Sequence, residues 1–132
     1  MNDLNTLAKQ LENGSTTSQK LVEASLEKIK ETSSLNAFIS VLSERAMQKA
    51  EEADKRRAEG KVIGKLDGIP VAIKDNLCLY GTKTTAGSKM LANFEAPYSA
   101  TAIEKLEAAG AVIVGKTNMD EFAIDRKSTR LN

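Results

Sequence analysis

One lysine of this sequence has a type and position suited to chemistry. Lys74 follows the apolar run of residues 69–73, in the stretch GIPVAIKDN. A lysine removed from water loses its charge more readily, and a neutral amine can accept a proton. The carboxyl end of a strand is also where open α/β sheets place ligands. The alternative is an ammonium that reaches solvent or pairs with Asp75, and spacing alone favours it.

A lysine base needs a hydroxyl group to activate, and a cluster of hydroxyl residues follows Lys74. The cluster consists of Thr82, Thr84, Thr85 and Ser88, in the segment YGTKTTAGSKMLAN. Turn formation is the favoured interpretation of this cluster. Gly81 and Gly87 could serve positive φ in the loop or the binding of a phosphate. Positive φ is expected, since the segment does not match the phosphate-binding pattern G-x-x-x-x-G-K-[ST].

Three other side chains could take part in chemistry, but structural roles are favoured for each. Asp120 and Glu121 could act as an acid and a base, yet the start of a solvated helix accounts for them. Cys78 is the only cysteine, so it forms no internal disulfide, and a reducing compartment fits. Its neighbours Leu77 and Leu79 favour a small buried apolar residue over a reactive thiol.

Composition excludes several classes of function. The 132 residues carry a net charge of +1, which gives no electrostatic case for a nucleic-acid or membrane surface. Histidine is absent, which excludes Ser-His-Asp and Cys-His catalysis and most zinc sites. We therefore expect no metal site in this chain. No signal-peptide pattern and no apolar run of about 18 residues occurs, so a cytoplasmic protein without a membrane span is expected.

Helical patterns dominate the first half of the chain. Leu4, Leu7 and Leu11 recur at helical spacing up to Asn13-Gly14. A second helix is predicted over residues 17–32, with Thr16 and Gln19 as a capping box. Ser43 is predicted to cap a third helix, which buries Ala46, Ala50 and Ala53 and ends at Gly60.

Three short strands are predicted, and together they indicate an α/β fold. They span residues 35–39, 69–74 and 111–115, and the last of them, AVIVG, is suited to burial on both faces. A fourth helix, over about residues 100–109, begins at Ser99 or Thr101 and ends at Gly110. The order strand, loop, helix, strand predicts a parallel or mixed sheet.

Four segments of the sequence resemble the amidase signature family. They are SQKLVEASLEKI, LDGIPVAIKDN, TTAGSKML and APYSATAIEKLEAAGAVIVGKTNMDEFA. KDN followed by TTAGS is specific to the superfamily, whereas NMDEFA, with APY and ATA before it, favours the A subunits of tRNA-dependent amidotransferases. The resemblance covers residues 1–123. It implies the N-terminal part of the amidase-signature fold, a mixed sheet flanked by helices, with a helical part over 1–60 and the start of the α/β core over 61–123.

The resemblance also implies a Ser–cis-Ser–Lys triad. The family motif G-[IV]-P-x-x-[IV]-K-D places the catalytic lysine on Lys74, as a base buried at a strand end. In that mechanism the neutral lysine acts through a bridging cis-serine, the nucleophilic serine attacks an amide, and ammonia leaves before the acyl-enzyme is hydrolysed. Both serines belong to a Gly-Ser-rich stretch after DEFA, which this sequence lacks, and Ser128 takes no triad role.

The resemblance further implies a glutaminase component of a larger complex, with B and C subunits as partners. Glutamine would be its substrate, and the ammonia would convert Glu-tRNA(Gln) or Asp-tRNA(Asn) to the amidated form on the B subunit. ATP and Mg would be used by the complex and not by this chain. Two alternatives stay open, namely an amidase of the same family acting on small amides, and a non-catalytic fragment that binds a partner through its N-terminal helices.

The C-terminal end departs from the family. Residues 124–132, IDRKSTRLN, look foreign to it and are interpreted as a non-native or truncated tail. The chain is therefore expected to be the N-terminal portion of a longer reading frame and inactive alone. Strands 69–74 and 111–115 would keep unpaired edges and exposed apolar faces, so marginal stability or aggregation is expected.

Overall fold

The computed structural model describes residues 3–124, which form four helices and three strands. The helices are α1 (Leu4–Glu12), α2 (Ser18–Glu31), α3 (Ser43–Ala58) and α4 (Thr101–Ala108), and the strands are β1 (Phe38–Val41), β2 (Pro70–Lys74) and β3 (Val112–Thr117). Short 3-10 helices span Ser33–Leu35, Lys89–Leu91 and Glu121–Ala123. The predicted tail of residues 124–132 lies outside the described residues, except for its first position.

The helices lie where the sequence predicted them, but two of the predicted caps are wrong. The N-cap of α2 is Thr17, whose side chain accepts from the amide of Lys20, so Thr16 and Gln19 form no capping box. The carboxylate of Asp54 supplies further acceptors, at 2.7 Å from the amide of Ser18. A carboxylate from a neighbouring helix thus satisfies the free N–H groups that a local box would have satisfied.

Helix α3 also begins differently from the prediction. Ser43 is its first helical residue and Leu42 is the N-cap, which makes no side-chain capping bond. The amide of Leu42 instead donates to the carbonyl oxygen of Val114 in β3 at 2.9 Å. Pairing with the sheet therefore carries the chain directly into the helix. The predicted face of Ala46, Ala50 and Ala53 is buried, as expected.

The first strand is displaced from its predicted position. The prediction of residues 35–39 is wrong for its first half, because Ser33–Leu35 form a 3-10 turn and Asn36 has φ 49°. Strand β1 then runs from Phe38 to Val41. Asparagine tolerates the left-handed conformation better than most residues do, and this turn delays the start of the strand.

The sheet is mixed, as predicted, with strand order β1-β3-β2. Strand β1 pairs antiparallel with β3, whereas β2 pairs parallel with β3. The β2–α4–β3 segment is the predicted strand–helix–strand unit. Strand β3 is paired on both sides, so the expectation of a free edge there is wrong, whereas β2 has one neighbour among residues 3–124. The predicted marginal stability of the isolated chain stays a prediction.

Two apolar clusters lie on opposite sides of β3. Val112 and Val114 pack with Val22, Ala46 and Ala50 of α2 and α3. Ile113 packs with Ile73, Leu79 and Ile103, on the side of α4. The alternating side chains of β3 are therefore buried on both faces, which confirms the prediction for AVIVG. Within the described part of the chain, no helix is long and apolar enough to cross a membrane.

A buried carboxylate fixes the start of β2. Asp67 is fully buried and lies 2.6 Å from a guanidinium nitrogen of Arg56. This hydrogen bond raises the pKa of the Arg56 guanidinium. Gly110 has φ 84°, and a Cβ there would lie 2.5 Å from Asp67 Oδ1, so glycine is required after α4. The turn before β2 is thereby held against the turn before β3.

Candidate active site at the carboxyl ends of two strands

Lys74 is the last residue of β2, and its side chain is exposed. Its ammonium makes no hydrogen bond or ion pair with any of residues 3–124. The expectation of a buried base is therefore wrong for the described residues. The favoured alternative is confirmed in its first half, because the side chain reaches solvent, and wrong in its second half, because it does not pair with Asp75. Side chains alternate along a strand, and Ile73 and Asp75 on either side of Lys74 are buried. Lys74 therefore points to the face that the described residues leave uncovered.

Asp75 pairs instead with a lysine of the neighbouring strand. Lys116 of β3 is fully buried, and its ammonium lies 3.2 Å from Asp75 Oδ1. The contact is an ion pair that lacks the alignment of a hydrogen bond. The Lys116 ammonium also donates to Thr84 Oγ1 at 2.9 Å and to the carbonyl oxygen of Lys83 at 3.2 Å. A buried charge requires such partners, because it has lost its hydration.

Asp75 also fixes the hydroxyl-rich loop. Its Oδ2 accepts from the amide of Thr85 at 3.0 Å and from the Thr85 hydroxyl. Its carbonyl oxygen accepts from the amide of Ala86 at 3.1 Å, and its own amide donates to the carbonyl oxygen of Thr117. Residue 75 is thus held by the loop on one side and by β3 on the other.

The segment after β3 holds the same loop from a second direction. The Ser88 hydroxyl donates to Glu121 Oε1 at 2.7 Å, and the amide of Phe122 donates to the carbonyl oxygen of Ala86 at 2.8 Å. Gly87 has φ 67°, as predicted, and a Cβ there would lie 2.7 Å from the carbonyl oxygen of Met119. Only glycine permits this close approach of the two segments.

The hydroxyl cluster is therefore structural, which agrees with the favoured prediction. Thr82 donates to the carbonyl oxygen of Leu79, a turn contact. Thr84, Thr85 and Ser88 go beyond turn formation, because each has a charged side chain as partner. Asp120 precedes the short 3-10 helix that Glu121 begins. Cys78 is half-buried and free.

A cleft opens beside this network, on the loop side of the strand ends. Its volume is about 410 Å³. Its lining includes side chains from the loop, from β1 and from the residues that follow β2 and β3. They are Ser40, Asp75, Lys83, Thr85, Ser88 and Asn118. The Ser40 hydroxyl is buried and lacks a hydrogen-bond partner among residues 3–124. Lys74 is not part of the lining.

The described residues supply the amine of Lys74 but no hydroxyl group bonded to it. None of Thr82, Thr84, Thr85 and Ser88 donates to or accepts from Lys74 among residues 3–124. No group of three or more Cys, Asp or Glu residues in that range could hold a metal ion. Sequence reasoning missed Lys116, although the pattern AVIVGK matches that of IPVAIK. An apolar run followed by lysine was the available signal.

Comparison with families of known proteins identifies the chain. Residues 20–130 match the model of the family described as Amidase. The A subunit of the glutamyl-tRNA(Gln) amidotransferase of Thermosynechococcus vestitus is 48% identical over 125 residues, which are 94% of this chain and 26% of that protein. The A subunit of the mitochondrial glutamyl-tRNA(Gln) amidotransferase of Xenopus laevis is 52% identical over 110 residues, 83% of this chain and 21% of that protein.

Solved structures match over a similar extent. The native peptide amidase of Stenotrophomonas maltophilia superimposes with a TM-score of 0.86 and 35% identity, over 91% of this chain and 25% of that one. A protein from a study of the origins of an s-triazine catabolic enzyme gives a TM-score of 0.87 and 36% identity, over 92% of this chain and 27% of that one. The predicted fold is thereby confirmed. The chain spans about a quarter of the length of these relatives.

Proposed function

The chain belongs to the amidase family, and we propose that it is part of the glutaminase subunit of a tRNA-dependent amidotransferase. The observation that carries the proposal is the level of identity, 48% over 94% of the chain, to an A subunit of glutamyl-tRNA(Gln) amidotransferase. The full-length protein would hydrolyse the side-chain amide of glutamine to glutamate and ammonia.

In this proposal Lys74 is the base of a Ser–cis-Ser–Lys triad. Its position at the end of β2, between two buried residues, supports the role because the side chain cannot turn into the core. Both serines would come from residues beyond Ala123, and these would also cover the exposed lysine. Covering would also exclude water from the amine. The neutral amine would then accept the proton that the nucleophilic serine passes through the cis-serine.

The ammonia would be used by partner proteins. In the proposed complex, B and C subunits accompany the glutaminase, and the B subunit converts Glu-tRNA(Gln), Asp-tRNA(Asn) or both to the amidated form. ATP and Mg would activate the tRNA-bound carboxylate there. This chain by itself would be inactive, because the described residues hold the amine without the serines that it serves.

A second candidate is an amidase of the same family that acts without tRNA. The likeness to a peptide amidase, at 35% identity, favours it. The lysine would keep its role, and only the substrate would differ. Both candidates predict amide hydrolysis by the full-length protein.

The experiment that separates the two candidates uses the full-length protein. Ammonia release is measured with glutamine and with propionamide, in the presence and absence of B and C subunits, ATP and Glu-tRNA(Gln). The proposal expects glutamine hydrolysis that increases when the B and C subunits, ATP and the tRNA are present together. Hydrolysis of propionamide alone, without binding to B and C subunits on a size-exclusion column, would favour the second candidate.

A further inference from the structure

We propose that Lys116 is a positioning residue of the active site, which acts through Asp75 to fix Lys74 relative to the segment after β3. This inference rests on the proposed function for its catalytic part. Lys116 makes no hydrogen bond with Lys74, the one member of the proposed triad among residues 3–124. Its ammonium lies behind the strand end, fully buried, with Asp75, Thr84 and the carbonyl oxygen of Lys83 as partners.

Asp75 fixes the backbone next to Lys74. It directly follows Lys74, and its amide, carbonyl and carboxylate are all engaged, by Thr117, Ala86, Thr85 and Lys116. On the other side of Lys74, Ile73 is buried and pairs with Lys116 in the parallel ladder. The backbone on both sides of Lys74 is therefore fixed, and Lys116 contacts both sides. A lysine with four rotatable bonds gains precision only from such a fixed origin.

Lys116 is also connected to the segment after β3, through the hydroxyl-rich loop. Lys116 holds Lys83 and Thr84 at the start of the loop, and Asp75 holds Thr85 and Ala86. The end of the loop then holds the chain after β3, through Ser88 to Glu121 and through Ala86 to Phe122. In the proposed function the serines follow this chain. One buried ammonium thus connects the strand that carries the base to the segment that leads to the serines.

The buried pair suits positioning better than it suits stability. A buried ion pair is weak evidence for stability, since similar apolar residues often serve as well or better. Its directional requirement is its distinguishing property, because Thr84 and the carbonyl oxygen of Lys83 accept only from a donor at the right place. A misplacement of about 1 Å at a reacting group costs on the order of 100-fold in rate.

The test replaces Lys116 by methionine in the full-length protein. Active serines are counted with a fluorophosphonate probe, and kcat and KM are measured with glutamine and with propionamide. The expected result is a fall in kcat per active site of about 100-fold, with KM little changed. A purely structural role would lower the number of active sites and leave kcat per site at the wild-type value, and that result would overturn the proposal.

Hydrogen exchange of the same variant supplies a readout that is independent of activity. The amides of Thr85 and Ala86 should exchange faster in Lys116→Met than in the wild-type protein, because their acceptors on Asp75 are no longer fixed. Unchanged exchange at these amides would overturn the proposal even if kcat fell. Lys28→Met is the matched control, since Lys28 pairs with Glu31 on the exposed surface of α2, and it should leave both readouts unchanged.

A milder variant keeps the test decisive if Lys116→Met does not fold. Thr84→Val removes the hydroxyl oxygen to which the Lys116 ammonium donates at 2.9 Å but keeps the ion pair with Asp75. It should lower kcat per active site severalfold, and an unchanged kcat would overturn the proposal. If the wild-type protein hydrolyses propionamide and not glutamine, the proposed glutaminase function fails, and the positioning role is decided with propionamide.

Discussion

Lys74 is the last residue of β2 and Lys116 the last but one of the neighbouring parallel strand β3, yet their surroundings are opposite. Each follows a short apolar run, IPVAI in β2 and AVIVG in β3. Lys74 is exposed and makes no polar contact with residues 3–124, whereas Lys116 is fully buried with three oxygen partners. The difference follows from the sheet, because β3 is central and covered on both faces, while β2 has one neighbour.

Two residues of the same type thus suit different roles in this protein, one structural and one catalytic. A buried ammonium must keep its partners, so Lys116 is tied to one geometry. An exposed ammonium is not tied to any partner, so Lys74 can serve a group that the rest of a longer chain brings to it. A structural role is therefore assigned to the buried Lys116, and a catalytic role is proposed for the exposed Lys74. Substitutions at the two positions should differ accordingly.

The largest effect is expected on activity, at Lys74. Lys74→Ala in the full-length protein should lower amide hydrolysis by about 10⁴-fold, because removal of one triad member disables the triad as a unit. The free energy of unfolding of the 132-residue chain, measured separately, should change by no more than about 0.5 kcal/mol, since there the lysine is exposed and has no partner among residues 3–124. Steady-state kinetics and urea unfolding measure the two quantities.

The control for Lys74 is Lys105→Ala, which removes an exposed lysine from α4. It should change neither activity nor stability. If Lys74→Ala kept more than a tenth of the wild-type activity, the assignment of the base would be wrong. The two lysines would then differ in burial but not in a catalytic role.

The next effect is expected on stability, at Lys116. Lys116→Met should lower the free energy of unfolding by about 3 kcal/mol, because the carboxylate of Asp75 is left buried without its counter-ion. Combining it with Asp75→Asn should recover part of this loss, since the uncompensated charge is gone. Urea unfolding of the full-length protein and of both variants checks the prediction.

Lys28→Met serves as the control in that series. The Lys28 side chain is 72% exposed and 3.1 Å from Glu31. An exposed pair of this kind contributes less than about 1 kcal/mol. Equal losses for Lys28→Met and Lys116→Met would show that burial does not distinguish the two ion pairs.

A smaller effect is expected at one of the Lys116 partners. Thr84→Val keeps the shape of the buried side chain but removes the acceptor at 2.9 Å from the Lys116 ammonium. The ion pair with Asp75 remains, so the loss should be about 1 kcal/mol, the contribution of one hydrogen bond. Thr101→Val, at an exposed position of α4, is the matched control. A loss at Thr84 no larger than at Thr101 would mean that this hydrogen bond does not hold Lys116.

The sequence predicted elements whose signals are local. Val112, Val114 and the alanines of α3 follow periodic patterns, and the end of α4 is marked by Gly110, so these elements lie where they were predicted. The polar contacts between distant segments were not predictable in this way. Asp54 caps α2 from 36 residues away, and the contact of Lys116 with Thr84 spans 32 residues.

The exposure of Lys74 was also beyond a local pattern. An apolar run predicts a strand, but it does not say which strand is central in the sheet. AVIVG and IPVAI are similarly apolar, and the order β1-β3-β2 alone places one between two neighbours and the other at an edge. The sequence pattern therefore pointed to two lysines, and only the topology separated them.

The smallest effect is expected at a carboxylate that is as exposed as Lys74 but has a partner. Asp3 caps α1, where its Oδ1 accepts from the amide of Thr6 at 2.7 Å. This backbone hydrogen bond lowers the pKa of Asp3 below its ordinary value of 3.8. A lowered carboxyl pKa means that the charged form is stabilised in the folded state. The contribution to stability is thus present above the unfolded pKa and is lost as the pH falls through the folded pKa.

An NMR titration of the Thr6 amide proton measures this contribution. Its chemical shift should follow the protonation of Asp3, with a midpoint below 3.8, and Asp3→Asn should abolish the titration while it retains a capping oxygen. A midpoint at or above the ordinary value would show that exposure cancels the hydrogen bond. A lowered midpoint would show that a partner, even in water, is enough to bias the charge of a side chain. Lys74 is also exposed, but residues 3–124 supply it with no such partner.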